Sequence, residues 1–147
     1  MEIFTSRYAN PELKSGKYTV VGITRGEPKF SLGYKLAGNI IEFAPPGYLF
    51  HENDRKMFTP KYFQHMDRIG VAKAKELIKP YLQYHKTIVL CCYEDVRLPD
   101  EWCHRLVFAE WLYERTGVKL DELHDPSSPK GYVKPDESVQ LNLFNII

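Results

Sequence analysis

Glu94, Cys103, His104 and Arg105 stand close together in the sequence and offer a carboxylate, a thiol, an imidazole and a fixed positive charge. A carboxylate or imidazole moves protons, a thiolate attacks electrophiles, and a guanidinium holds phosphate or carboxylate. The group follows Thr87-Ile88-Val89-Leu90-Cys91-Cys92-Tyr93, an apolar run that marks a strand buried on both faces of a parallel sheet. In open α/β sheets ligands bind beyond the carboxyl ends of the strands, where loops lead into helix N-termini. The residues from Cys92 to Arg105 stand at such a junction, before a helix expected over 100–116 and ended by Gly117.

Arg105 falls in the first turn of that helix, where its charge opposes the macrodipole; an anion at the same N-terminus would make the arrangement favourable. Pairing with Glu94 or Asp100 is the structural alternative. Arg25 and Lys29, in a loop rich in glycine and proline, would add anion contacts from the same sheet edge. Ser6 and Tyr8 join this expected anion or nucleotide site, with Tyr8, Tyr34, Tyr48, Phe30 and Phe43 able to stack a base. Cys103 near a helix N-terminus is a candidate nucleophile, against the alternative of a packed, inert thiol. Neighbours on a helix point about 100° apart, so adjacency alone makes His104 a poor base for Cys103; it would serve Glu94 or a ligand instead. Cys92, Cys103 and His104 match no recognised zinc spacing, and no metal is expected. No cofactor is legible.

The elements that must position these groups follow from periodicity. Short strands are expected at 3–6 and 18–24, then a long structured loop over 25–47. Thr59-Pro60 reads as a helix start running to Arg68, and 71–84 as a second helix kinked at Pro80. An edge strand is expected at 118–120. The result is an α/β fold, a single three-layer domain with a small, mostly parallel sheet flanked by helices, plus an extended C-terminal tail. At 44% hydrophobic and 14% aromatic residues, the chain builds one core without staples. Twenty basic against nineteen acidic residues give a net charge of +1, so nucleic acid would be met by a local patch only. Three cysteines make an odd count without disulfide spacing, the N-terminus shows no leader, and no run is long enough to span a membrane. A reducing cytoplasm and no membrane partner are expected.

Domain limits are read as 1–124 for the body, 125–138 for a proline- and serine-rich linker, and 139–147 for a terminal peptide. Apolar density returns at the end of the chain with Leu141, Leu143, Phe144, Ile146 and Ile147, which either fold back on the body or fill a partner's groove. Gln140-Leu141-Asn142-Leu143-Phe144 resembles the peptide by which bacterial replication and repair proteins hold the sliding clamp. That resemblance implies a bacterial sliding clamp as partner, through Gln140, Leu141, Leu143 and Phe144, and work on or near DNA.

Pieces of the body, in order, resemble the bacterial and archaeal family called domain of unknown function 488. They are Thr5-Ser6-Arg7-Tyr8-Ala9-Asn10, Ile23-Thr24-Arg25-Gly26-Glu27-Pro28-Lys29, Ala44-Pro45-Pro46, and Cys92-Tyr93-Glu94 followed by Cys103-His104-Arg105. The resemblance spans roughly residues 1–123 and implies no reaction. Two functions of different class follow. One is an enzyme of DNA repair or nucleotide modification with a phosphate site, recruited by the terminal peptide to a DNA or nucleotide substrate. The other is a non-catalytic clamp-binding adaptor.

Overall fold

The computed structural model describes residues 2–129 of the 147-residue chain. The peptide at Gln140, Leu141, Leu143 and Phe144 and most of the expected linker lie outside the described residues. Strand β1 (Ile3–Arg7) leads through a 3-10 turn (Pro11–Ser15) to β2 (Tyr18–Gly22). Asn10 caps that turn by accepting the Glu12 N–H. The loop that follows holds β3 (Gly38–Asn39) and two further 3-10 turns, Ile41–Phe43 and Gly47–Leu49.

Helix α1 (Arg55–Ile69) starts earlier than the Thr59-Pro60 signal suggested. Asp54 takes the N-cap, its side chain accepting the Lys56 N–H, which satisfies an otherwise orphaned donor. Pro60 then lies inside the helix, where it has no N–H to give to the preceding turn. After Gly70 comes α2 (Val71–Ile78), which tightens into a 3-10 turn (Lys79–Tyr84) where Pro80 was expected to bend it. Strand β4 (Thr87–Cys92) is followed by α3 (His104–Thr116) and the short β5 (Asp121–Glu122). Helix α3 begins after the expected position 100 because Asp100 is left-handed, with φ 64°, and Cys103 is extended. Gly117 closes α3 at φ 76°, as its sequence position indicated. The last strand lies at β5 rather than at 118–120.

All strands are parallel, in the order β3-β2-β4-β1-β5, so the apolar run of β4 sits in the middle. Helices α1, α2 and α3 cover one face, burying Val21, Ile88, Leu90, Phe108 and Trp111 in one core. Phe43 and Phe108 stack there with ring centroids 4.6 Å apart, and each such fully buried side chain contributes about 1.5–3 kcal/mol. The opposite face is covered by the Pro11–Ser15 turn and the 25–37 loop, through Leu13, Leu32, Tyr34 and Leu36. The fold is therefore α/β in three layers, with helices on one side of the sheet and loop structure on the other. Among the described residues no helix is long and apolar enough to cross a membrane.

The body extends past residue 124. Arg7 Nε donates to Asp125 at 2.7 Å and Arg7 Nη2 to Ser127 Oγ at 2.7 Å, while Arg97 pairs with both Asp95 and Asp125. The first residues of the expected linker are thus held by paired charge, which composition alone does not reveal.

Candidate active site

Three chain segments meet at the carboxyl edge of the sheet: Ile23-Thr24-Arg25 beyond β2, Tyr93-Glu94 beyond β4, and Cys103-His104 at the start of α3. Gly22 is required at the end of β2, since a Cβ there would collide with the Tyr8 hydroxyl and the Asn39 side chain. His104 joins α3 to β2 through a 2.5 Å bond from Nε2 to the Ile23 carbonyl oxygen. A carbonyl only accepts, so Nε2 carries the proton and Nδ1 keeps its lone pair, 3.7 Å from Cys103 Sγ. Burial pushes the His104 imidazole down to about 4, overriding the bond to Ile23, and the Arg105 charge acts in the same direction. His104 is neutral near pH 7.

Glu94 and His104 separate two adjoining cavities. One, of about 350 Å³, is floored by Phe58 and Trp102 and carries the carboxylates of Glu52, Glu94, Asp100 and Glu101. The other, of about 680 Å³, is lined by Arg25 and Lys29 together with Glu27, beside Phe30 and Tyr93. A chamber lined by acidic residues and one of mixed charge therefore share one wall. Arg25 is steered by a 3.1 Å bond to the Pro45 carbonyl, and Tyr93 by a 2.8 Å bond to that of Gly26.

Several expected residues have other roles. Cys103 is joined to Cys92 as a disulfide, correcting the reading of three unpaired cysteines and leaving Cys91 free and buried. The loop between β4 and α3 folds back on itself, which brings the two sulfurs together. In this form Cys103 has no thiol with which to attack. Cys103 and His104 do face one another, Sγ to Nδ1 at 3.7 Å, although they are neighbours in sequence. Cys103 is the N-cap, with φ −142° and ψ 155°, so the helical offset of side chains does not apply to it. Cys103 Sγ lies 3.1 Å from Glu94 Oε2.

Arg105 does not face the cavities. It is 0% exposed and paired with Glu122, Nε to Oε1 at 3.0 Å and Nη2 to Oε2 at 2.7 Å, while Nη1 donates to Cys92 Sγ at 3.1 Å. Its partner is neither Glu94 nor Asp100, the two carboxylates expected from the sequence. Thr5 Oγ1 donates to the same Glu122 carboxylate at 2.7 Å. The anion role expected of Arg105 is thus taken by an internal carboxylate on β5. Ser6 is buried too, donating to the Arg7 carbonyl and accepting from Asn10. Tyr8 is 1% exposed, bonded to Thr24 Oγ1 at 2.7 Å, and packs on Tyr93 with centroids 4.9 Å apart. Burial pushes its phenol well above the usual range, against the bond to Thr24. Tyr93 and Phe30, both about half-exposed in the cavity beside Arg25 and Lys29, are rings open to a ligand. Of the expected set, Arg25, Lys29, Glu94 and His104 line cavities together, and Cys103 lies at the acidic one. Glu122 had no signal beyond being a carboxylate in a short edge segment. No family model, curated protein or solved structure matches the chain.

Proposed function

We propose that this protein is an enzyme acting on a phosphate-bearing substrate, a nucleotide or a DNA strand, at the carboxyl edge of its sheet. The observation that carries the reading is the shared wall: Glu94 and His104 stand between Arg25 and Lys29 on one side and a carboxylate-lined chamber on the other. The two basic side chains hold the phosphate, Tyr93 and Phe30 pack against an attached base, and Glu94 accepts or donates the proton. The terminal peptide Gln140-Leu141-Asn142-Leu143-Phe144 brings the enzyme to a bacterial sliding clamp, and so to DNA repair or replication. Membership of the domain of unknown function 488 family belongs to the same reading and rests on the Cys92-Tyr93-Glu94 and Cys103-His104-Arg105 segments.

Calorimetric titration tests both halves. Nucleotides and short DNA strands are titrated into the full chain and into a double variant, Arg25→Ala with Lys29→Ala. The clamp is titrated into the full chain and into a variant with Leu143 and Phe144 replaced by alanine. Micromolar binding lost in each variant supports the reading; a clamp titration with heat but no nucleotide or DNA binding makes the protein an adaptor.

A further inference from the structure

We infer that Cys92, Cys103 and His104, once the cysteine pair is reduced, form a binding site for one zinc-like divalent cation. Their three ligand atoms lie within 4.8 Å of one another, a spacing that a single tetrahedral ion with bonds of about 2.0–2.3 Å bridges by small side-chain rotations. The Cα atoms of the two cysteines are 7.2 Å apart, so once the sulfur–sulfur bond is reduced the two side chains can part enough to hold one ion between them.

Each donor is prepared from outside the cluster. The Ile23 carbonyl takes the Nε2 proton of His104, fixing the tautomer whose Nδ1 faces the sulfurs; metal-bound histidines are oriented by the same kind of partner on the other nitrogen. The Arg105 guanidinium donates to Cys92 Sγ at 3.1 Å. Cys103 caps the 13-residue α3, so its sulfur stands at the helix end. An independent observation points to a cation: the cavity against Cys103 and His104 is lined by Glu52, Glu94, Asp100 and Glu101, so the route to the cluster is negative.

Two thiolates and an imidazole leave one position of a tetrahedral ion for water, as catalytic zinc sites do. Glu94 Oε2 lies 3.1 Å from Cys103 Sγ, so a carboxylate adjoins the cluster and would serve as proton acceptor for a water on such an ion. The inference deepens the proposed function, resting on it only for the phosphate that Arg25 and Lys29 would hold nearby. The chemistry balances. A thiol or phosphine reductant supplies two electrons, the disulfide gains two protons to become two thiols, and the cation displaces both protons when it binds.

The test uses cobalt(II) in place of zinc, because thiolate coordination then gives a charge-transfer absorption band. The full chain is reduced with a phosphine, stripped with a chelator and titrated with cobalt. One cobalt per chain with a charge-transfer band is expected, retained in Cys91→Ala, lost in Cys103→Ser, and weakened at least tenfold in His104→Ala. The unreduced disulfide form is expected to give no band. Absence of the band from protein whose circular dichroism is native, and whose three thiols all react once a sample of it is unfolded in denaturant, would overturn the inference, as would a band that persists in Cys103→Ser. Arg25→Ala with Lys29→Ala is expected to bind cobalt normally, so nucleotide binding that survives without any cobalt band removes the metal and leaves the anion site.

Discussion

Along the carboxyl edge of the sheet, the arginines near β1 and β5 have each found a carboxylate, whereas near β2 Arg25 meets a backbone carbonyl and Lys29 stands exposed. Arg7 holds Asp125, Arg97 holds Asp95, and Arg105 holds Glu122 from inside the fold. Charges paired in this way fix the chain's end against the sheet. Arg25, bonded at 3.1 Å to Pro45 O, has most of its guanidinium donors outside that one bond. Two halves of one edge, both rich in basic groups, are thus separated by the presence or absence of a carboxylate partner, and under the proposed function the open half is the one that meets the ligand.

The largest effect should come from breaking the closed half. Glu122→Ala leaves Arg105 buried without its counter-charge, and a loss of about 3 kcal/mol is expected in urea unfolding. A loss below about 1 kcal/mol would mean that Cys92 and water satisfy Arg105, erasing the distinction between the halves. Next, Arg25→Ala or Lys29→Ala should weaken nucleotide binding about tenfold each, near 1.4 kcal/mol, with melting temperature almost unchanged. A melting temperature that falls with binding would make the open half structural as well.

A smaller effect is tied to pH. The hydrogen bond from Arg97 holds the Asp95 carboxyl down at about 2, with Arg7 adding to it, against about 3.9 for an unfolded Asp. A depressed carboxylate stabilises the fold fully above about pH 4, and this contribution disappears as pH falls through about 2. Asp95→Asn should therefore cost about 1 kcal/mol at pH 6, after allowance for solvent screening, and the cost should vanish only below about pH 2. Stability curves of the two proteins that stay parallel would disprove the pairing. The smallest effect is expected of Tyr8→Phe, which removes only the bond to Thr24 and should cost about 0.5 kcal/mol without changing nucleotide affinity. A tenfold affinity loss would return Tyr8 to the ligand site.

Much of the fold was legible because it rests on local signals. The β4 run declares its burial by being apolar throughout, Gly117 closes α3 in the left-handed conformation that glycine adopts without strain, and Pro80 marks where α2 tightens. Helix starts were less legible: Asp54 and Thr59 are both good caps, and only the packing of Phe58 into the core decides that the earlier one is used. The junction between β4 and α3 was readable as a candidate site for the same topological reason that any parallel sheet collects ligands at its strand ends. Which of its residues face a cavity was not.

The amino-acid order by itself determined the α/β class, the central strand and the segments that meet at the carboxyl edge, because backbone preference and burial act over a few neighbouring residues. Tertiary structure alone decided that Arg105 turns inward to Glu122, that Cys92 reaches Cys103, and that His104 offers Nδ1 to sulfur while Nε2 binds Ile23. Those outcomes depend on which groups the sheet register and the folded-back loop bring within about 3 Å, a distance at which a charge or lone pair finds its partner whatever its separation along the chain.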